Sequence, residues 1–293
     1  MQEKRLWVLL LLVSYYVSAQ MKCVIKDSIT GKEISYVGVW EKNSKNSYSS
    51  DKNGKLKFKN TVQDDELTFY TTGYEEKKTA ISKLPKEVFL VPITNKTDSN
   101  SLELTEETYV QNDDFDSTLA RGFYTVNLGT HLVAKYVPYY PQFIKTPFLK
   151  SIQFGVNSLS RSALYKLRFF EVDSLGKPSR EIGTQEIICK SKRTVFYKGP
   201  EELFGKIDNG KAIDLTKYKI RLPKTGIFVA IEILDIPKNN YDSYWAESTK
   251  SNIIFPVVLM KPSNSDFTWG FTGGNWNPSK KNSDLALKLI LTN

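Results

Sequence analysis

Few side chains of this 293-residue sequence suit acid–base chemistry, and the candidates are Glu171, Glu232, Asp235 and the single histidine, His131. Hydrolysis of a glycosidic bond needs two carboxyl groups that face one cleft, and nothing in the sequence pairs these three. A Ser-His-Asp or Cys-His site would depend on His131, and a catalytic zinc site draws on several histidines. A structural role is the alternative for Glu232 and for His131.

The stretch SSDKNGKLKFK, Ser49–Lys59, has the opening of a calcium-binding loop. Asp51 and Asn53 fit the first and third positions of an EF-hand, but the fifth position is Lys55, a cation where an oxygen ligand is needed. A turn explains the stretch better, because Asn53-Gly54 tolerates the positive φ angles that a tight hairpin turn demands. Apolar and lysine side chains then alternate, which predicts a strand with one apolar and one solvated face.

A second stretch rich in oxygen ligands is QNDDFDS, Gln111–Ser117. Asp113, Asp114 and Asp116 supply the hard carboxylate oxygens that calcium prefers. A solvated acidic loop is the alternative for these three residues. We therefore expect no cofactor, with calcium at this loop as the one exception that the residues allow.

Aromatic residues in loop-like contexts are the stronger lead to a function. They have neighbours rich in Pro, Asn and Gly, and they are Tyr139, Tyr140, Tyr241, Tyr244, Trp245, Trp269 and Trp276. Aromatic rings on the loops of a rigid scaffold form flat apolar platforms with polar tips, which suit sugar rings or protein partners. The alternative is that some of these rings plug the ends of a sandwich core.

The first residues have the layout of a secretory signal peptide. Glu3–Arg5 is charged, Leu6–Val17 is a nearly unbroken apolar run, and Val17-Ser18-Ala19 offers small residues for cleavage after Ala19. The apolar run falls short of the about 20 residues that a spanning helix needs. We therefore expect an exported protein, in the periplasm or at the cell surface, with no membrane span in the mature chain.

The basic charge of the chain does not indicate a nucleic-acid partner. The formal net charge is +9, and removing Glu3, Lys4 and Arg5 with the signal peptide lowers it to +8. The lysines are scattered over predicted strand faces and turns and do not form a compact patch with interleaved aromatics. Weak attraction to anionic glycans of the envelope is compatible with this charge, and a solvated basic surface is the alternative.

Short strand-like segments recur about every 8–12 residues without helical periodicity, which predicts an all-β protein built from sandwiches. At roughly 150 residues per domain, the length indicates two domains. We expect a signal peptide at 1–19, a first sandwich at 20–94, a linker at 95–120 and a larger, jelly-roll-like sandwich at 121–293. The two cysteines, Cys23 and Cys189, fall in different sandwiches, so we interpret them as separate buried thiols.

Two segments of the second sandwich have the pattern of core strands. Ile227–Leu234 is apolar on both faces apart from Glu232, which is typical of a central strand. In the last segment, DLALKLILT, the leucines fall on one face and predict a strand that packs into the core.

The segments VIKDSITGKEISYVGVWEKNSKNSYSSDKNGKLKFK and DDELTFYTTGYEEKKTAI resemble the carboxypeptidase-like regulatory domain, a small transthyretin-like sandwich of exported bacterial proteins. The matching positions, over about 75 residues, are Asp27, Thr30, Gly31, Gly38-Val39, Asp51, Gly54, Leu56 and Gly73-Tyr74. These are turn and core residues, so the resemblance implies a seven-stranded transthyretin-like fold and no chemistry. In that family the domain accompanies peptidases or outer-membrane receptors, and we expect neither in residues 95–293. The segments LYKLRFFEVDSLGKPSREI and IDLTKYKIRLPKTGIFVAIEIL look like a sandwich that often accompanies it.

The sequence thus predicts a non-catalytic exported protein of the cell envelope, which binds a glycan or an envelope protein through loops of its second sandwich. One alternative is a hydrolase that uses carboxylates such as Glu171 and Glu232. The other is a purely structural component of an envelope assembly.

Overall fold

The structure, a computed structural model, describes residues 21–44, 46–58, 65–93, 108–111, 122–124, 130–158, 162–191, 212–241, 253–254, 256–263, 267–279 and 283–293. The predicted signal peptide lies outside the described residues, and cleavage after Ala19 stays a prediction. Within the part of the chain that is described, no helix has the length and apolarity to cross a bilayer.

The protein is all-β, as the alternating pattern predicts. In the first half the strands are β1 (Lys22–Asp27), β2 (Gly38–Glu41), β3 (Ser47–Ser49), β4 (Lys55–Lys57), β5 (Glu66–Tyr70), β6 (Lys77–Ala80), β7 (Glu87–Leu90), β8 (Thr108–Gln111), β9 (Gly122–Tyr124), β10 (Thr130–Val137), β11 (Phe148–Phe154) and β12 (Val156–Asn157). They continue with β13 (Leu164–Val172), β14 (Pro178–Glu181), β15 (Ile187–Lys190), β16 (Ile213–Asp214), β17 (Ile227–Ile233), β18 (Asn240–Tyr241), β19 (Ile253–Ile254), β20 (Val257–Pro262), β21 (Thr268–Thr272), β22 (Asn275–Pro278), β23 (Ser283–Leu285) and β24 (Leu287–Thr292). Short 3-10 helices occupy Ile81–Lys83, Pro141–Lys145 and Thr216–Tyr218.

The first sandwich has the seven strands that the sequence predicts. One sheet has the order β4-β1-β7 and the other β3-β2-β5-β6. Every second residue of β1 points inward, because successive side chains of a strand alternate between its two faces. The buried residues of both sheets form one apolar core that includes Ile25, Leu67, Phe69, Val88 and Leu90. The resemblance to the carboxypeptidase-like regulatory domain itself stays a prediction.

Residues Asp51–Gly54 form a turn, as the sequence predicts, but this turn does not close a hairpin. The strands on either side belong to different sheets, because β3 pairs with β2 and β4 pairs with β1. The Asp51 carboxylate accepts hydrogen bonds from the backbone N–H groups of Asn53 (2.8 Å) and Lys55 (2.9 Å), so its oxygens stabilise the turn. Of the Asn-Gly pair, Gly54 adopts a positive φ of 68°.

The second sandwich is built on a large antiparallel sheet with the order β14-β13-β17-β10-β21-β22, in which β15 also pairs with β13. One face of this sheet packs against the sheet β16-β11-β24-β8 and the sheet formed by β12, β20, β23 and β9, in a single buried cluster. Strand β17 is buried along its whole length, as predicted for a central strand. The leucines of the last segment, at positions 285, 287, 289 and 291, all lie in that core, as predicted.

The other face of the large sheet meets the first sandwich. Side chains there that would otherwise meet water are almost fully buried: Lys166 is 1% exposed, Arg168 is 6% and Glu232 is 1%. Together with Glu181 and Glu186 they form what we call the junction cluster.

Hydroxyl groups of the first sandwich complete the junction cluster. Thr72 donates a hydrogen bond to Glu181 (2.7 Å), and Thr71 donates one to Glu186. The Arg168 guanidinium lies 4.9 Å from the centre of the Tyr70 ring, at cation–π distance. The two sandwiches are therefore in direct contact through buried polar groups, while the exact limits of the domains stay predictions.

The two cysteines are free thiols, one in each large core. Cys23 is buried in the first sandwich and Cys189 in the second. Burial raises the pKa of each thiol to about 12, so both are protonated near neutral pH.

Candidate functional site

A cleft opens at one end of the second sandwich, where the chain leaves strand β10. We call it the Tyr140 cleft, and it has a volume of about 170 Å³. It is lined by Lys135, Tyr136, Val137, Pro138, Tyr140, Lys261, Ser263, Phe267, Asp284 and Leu287. Strands supply most of the lining and loops supply the rim, which is a common arrangement for binding sites on rigid scaffolds.

Two exposed aromatic rings belong to the lining of the cleft. Tyr140 is 41% exposed and Phe267 is 38% exposed. Tyr140 stands edge-to-face on Phe143 at a centroid distance of 5.4 Å, and Phe143 is fully buried in the core. The exposed ring of Tyr140 is therefore held on a rigid support.

The second exposed ring, Phe267, is held by Tyr136. The two rings meet edge-to-face at 5.5 Å, and the Tyr136 backbone N–H donates a 2.8 Å hydrogen bond to the Phe267 carbonyl. The Tyr136 hydroxyl donates to the Thr225 carbonyl at 3.0 Å, and burial raises its pKa, so it remains a donor near neutral pH. Gly226, with a φ of 88°, leaves room for the Tyr136 ring, because a Cβ at this position would lie 2.5 Å from the ring.

Charged residues and a hydroxyl complete the lining. The Asp284 carboxylate is buried and accepts hydrogen bonds from the hydroxyls of Ser263 (2.8 Å) and Thr268 (3.1 Å). Thr268 in turn accepts a hydrogen bond from the Leu285 backbone N–H, at 3.0 Å. The position of the Asp284 carboxylate is therefore fixed by Ser263, directly after β20, and by Thr268, the first residue of β21.

Two lysines lie beside this carboxylate. In the strand register, Lys135 is opposite Thr268 and Lys261 is opposite Asp284. Lys135 is buried and Lys261 is half-buried. Among the described lining residues, two lysines and one aspartate are therefore close together.

This arrangement suits recognition of a small polar ligand with a flat apolar side. Binding clefts combine apolar or aromatic surface with a few fixed polar groups. A sugar ring has both kinds of surface, since its C–H face can lie on an aromatic ring while its hydroxyls reach hydrogen-bonding groups. The described lining holds one carboxylate, Asp284, whereas glycoside hydrolysis uses two.

The predicted aromatic residues do not all meet at this cleft. Tyr140 lines it, while Tyr139 packs against the core, 6.0 Å from Phe143. Trp269 and Trp276 are half-buried on the face of the large sheet that meets the first sandwich. They pack there against the half-buried Phe271 and the buried Phe170 and Phe228. Tyr139 and these two tryptophans thus pack against buried residues, and a role for them in binding stays a prediction.

The remaining predicted residues cannot be assigned to a site. Tyr241 forms part of the short strand β18, paired with β19. Tyr244, Trp245, Asp113, Asp114 and Asp116 lie outside the described residues. Among the residues that are described, no group of three or more His, Cys, Asp or Glu side chains is placed to hold a metal ion. Calcium at the acidic loop therefore stays a prediction.

Glu232 and Glu171, the carboxylates considered for hydrolysis, form ion pairs in two different parts of the second sandwich. Glu232 lies in the junction cluster, 3.4 Å from the Arg168 guanidinium, and burial raises its pKa. Glu171 forms an ion pair with Arg180 at the surface, at 2.5 Å. These two residues differ in burial and in partner, and they share no cleft in the described structure.

A larger cavity, of about 280 Å³, lies where the two sandwiches meet. Its lining includes Thr72, Arg168, Glu181 and the segment 217–220. Arg168 donates two hydrogen bonds to Glu181, at 2.9 and 2.7 Å, so the strongest charges of this cavity are already paired. We therefore regard the smaller Tyr140 cleft as the better candidate for a binding site.

No family model matches the sequence, and no curated protein matches it. Among solved structures, the fold is similar to the crystal structure of the cysteine protease and lectin-like domains of Cwp84, a surface layer associated protein of Clostridium difficile. The similarity has a TM-score of 0.39 and 11% sequence identity, and it covers 70% of this chain and 42% of that chain. The chain thus spans less than half of that protein's length, and a likeness at this level carries no argument about function.

Proposed function

We propose that the protein is a non-catalytic exported protein of the cell envelope, which binds a glycan through the Tyr140 cleft. The observation that carries the proposal is the pair of exposed rings, Tyr140 and Phe267, held rigidly beside fixed polar groups. Preorganised rings favour binding because little side-chain freedom is lost when the ligand arrives. Export, in the periplasm or at the cell surface, rests on the N-terminal pattern of the sequence.

The position of the cleft fits this role. Its rim comes from the segment after β10 and from the residue before β21, both outside the strands that build the core. Among the described residues, the lining of the cleft comes from the second sandwich alone. A ligand can therefore be recognised at this end while the rest of the fold stays unchanged.

The test is binding of the mature chain, residues 20–293, to an array of bacterial and plant saccharides, followed by calorimetry on those that bind. We expect saturable binding, and we expect Tyr140→Ala and Phe267→Ala each to weaken it about tenfold, which corresponds to about 1.4 kcal/mol. Leu175→Ala is the matched control, because Leu175 is 74% exposed in a turn that does not line the cleft.

Loss of binding in both ring variants, with the control unchanged, supports the proposal. An array without saturable binding would favour the purely structural role. Turnover of a bound saccharide would instead show that the protein is an enzyme.

A further inference from the structure

We infer that the first sandwich docks on the surface of a lipid bilayer that contains anionic lipids. The inference goes beyond the proposed function, because it concerns a different surface and needs no saccharide. It is carried by one sheet face, on which exposed apolar side chains and lysines lie together.

The surface belongs to the sheet β4-β1-β7, whose three strands all lie within the described residues. Every second side chain of these strands is buried in the core of the first sandwich, so the others point away from that core. We call this side of the sheet the outer face. Its side chains include Lys22, Lys26, Lys55, Lys57, Glu87 and Phe89.

The outer face is apolar where β7 ends. Phe89 is 39% exposed, and the alternation continues beyond the strand, where Val91 is 48% and Ile93 is 41% exposed. The Glu75 N–H donates a hydrogen bond to the Val91 carbonyl (2.9 Å), and the Ile93 N–H donates one to the Gly73 carbonyl (2.8 Å). These two hydrogen bonds hold the segment extended, so its apolar side chains point to one side.

Ile29 joins this apolar end from the turn after β1. The Ser28 N–H donates a 2.9 Å hydrogen bond to the Leu90 carbonyl, which places the turn beside the end of β7. The Asp27 carboxylate fixes the turn by accepting a hydrogen bond from the Ile29 N–H (2.8 Å), and the Ile29 side chain is 71% exposed. Exposed apolar side chains that group together mark sites of interaction with proteins or membranes.

Lysines occupy the part of the outer face away from this apolar end. In the strand register, Lys22 is opposite Lys57 and Val24 is opposite Lys55. The side chains of these three lysines form no ion pair or hydrogen bond within the described part of the chain. Their ammonium groups are therefore available to anionic groups from outside.

The one acidic side chain of the outer face is neutralised there. Glu87 forms an ion pair with Lys26, which is opposite Phe89 in the strand register. The Lys77 ammonium donates a 3.0 Å hydrogen bond to the Phe89 carbonyl, so a further positive group lies beside the apolar end. The described strands of this sheet thus present apolar surface and positive charge on one side, with no unpaired carboxylate.

This combination fits an anionic bilayer. Anionic headgroups attract lysines near the surface, and apolar side chains gain free energy when they enter the interface between headgroups and acyl chains. An acidic protein would need apolar and negative groups in matching places, whereas a bilayer offers both at every point. Side chains that point to one side of a sheet can reach such a flat surface together.

Vesicle co-sedimentation of the mature chain, residues 20–293, tests this inference. One set of vesicles is phosphatidylcholine alone, and the other contains one-third phosphatidylglycerol. We expect saturable binding to the anionic vesicles and at least tenfold weaker binding to the neutral ones. Added salt should weaken the binding, because counterions screen the attraction between lysines and headgroups.

Two double variants separate charge from apolar contact. Lys55→Gln with Lys57→Gln should weaken binding to anionic vesicles at least tenfold, since each lysine near such a surface contributes about fivefold. Phe89→Ala with Val91→Ala should weaken it about tenfold, because less apolar surface enters the bilayer. All four side chains are exposed, and thermal unfolding checks that both variants fold.

The matched controls lie in the second sandwich. Lys177→Gln with Lys190→Gln makes the same charge change at two exposed lysines. Leu175→Ala with Ile188→Ala removes apolar groups that are 74% and 42% exposed. Both controls should bind anionic vesicles as the wild type does.

Absence of vesicle binding, equal binding to neutral and anionic vesicles, or equal losses in the variants and their controls overturns the inference. A loss in the lysine variant without a loss in the Phe89 and Val91 variant also overturns it, and indicates a surface for soluble polyanions. Saccharide binding is measured separately, so each of these results leaves the proposed function of the Tyr140 cleft intact.

Discussion

The second sandwich carries two groups of charged and aromatic side chains that differ in what covers them. The junction cluster sets two cations against three carboxylates, beneath hydroxyls and a tyrosine of the first sandwich. The Tyr140 cleft sets two cations against one carboxylate, beside rings that are about two-fifths exposed. The residue types are nearly the same in both places.

The difference lies in how accessible the two groups of side chains are. In the junction cluster, Lys166 contacts Glu186 and Thr71, and Arg168 contacts Glu181 and Glu232, so the groups that could bind a ligand are already used. In the cleft, the rings of Tyr140 and Phe267 are exposed and the apolar surface is open. Charged and aromatic residues therefore indicate a binding site only where the fold leaves them accessible.

The largest expected effect comes from breaking the junction cluster. Arg168→Met leaves Glu181 and Glu232 with less positive charge in a buried position, which costs about 3–5 kcal/mol of unfolding free energy. Arg180→Met removes an arginine of an exposed pair with Glu171 and should cost far less, because solvent screens that pair. Urea unfolding of both variants measures the difference. If the two costs were equal, the contact between the sandwiches would be an ordinary surface contact.

A smaller effect is expected on the cleft side, from Gly226→Ala. The left-handed backbone at Gly226 costs an alanine about 1–2 kcal/mol, and the added methyl group also meets the Tyr136 ring. We therefore expect lower stability together with weaker saccharide binding. Calorimetry on the folded variant checks the second part.

Gly176→Ala is the matched control for this change. Gly176 has a similar φ of 74°, but a Cβ there would meet no atom within 4 Å. It should cost only the backbone strain and leave binding unchanged. Equal affinity of both variants for saccharide would mean that the position of Tyr136 does not affect the cleft.

Much of the fold follows from alternation in the sequence. Strand β17 ends within one residue of the predicted segment Ile227–Leu234, because a strand buried on both faces is a continuous apolar run. The leucines of β24 alternate as predicted, because one buried face produces a period of two. Periodicity alone does not reveal β3 (SYS) and β6 (KKTA). Both are edge strands, where polar residues and lysines are common, so they lack the apolar alternation of inner strands.

The candidate site was predictable only in part. Tyr140 stands out because it lies in a loop beside proline, whereas Tyr136 lies inside β10 and its sequence context is that of a core residue. The alternation at Tyr165–Phe169 does not show whether Lys166 and Arg168 face water or another sandwich. Which strand faces are covered depends on the arrangement of the sandwiches, and this is not encoded in local periodicity.

The smallest effect should come from Glu232→Gln, and it depends on pH. Burial raises the pKa of Glu232 above its ordinary 4.5, although Lys166 and Arg168 oppose this shift. A carboxyl group with a raised pKa in the folded state stabilises the fold most below the unfolded pKa and loses that contribution as pH rises through the folded value. The wild type should therefore lose stability relative to Glu232→Gln as pH increases above about 4.5.

Urea unfolding of both proteins at pH 4, 5, 6 and 7 measures this change, with Glu171→Gln setting the background for removal of a carboxylate at the surface. Saccharide binding should stay the same in Glu232→Gln at each pH, since Glu232 does not line the Tyr140 cleft. A constant stability difference from pH 4 to pH 7 would mean that the junction cluster compensates Glu232 fully. A change in binding would mean instead that the two charged groups of the second sandwich are coupled, and that the contrast between a closed and an open cluster does not hold.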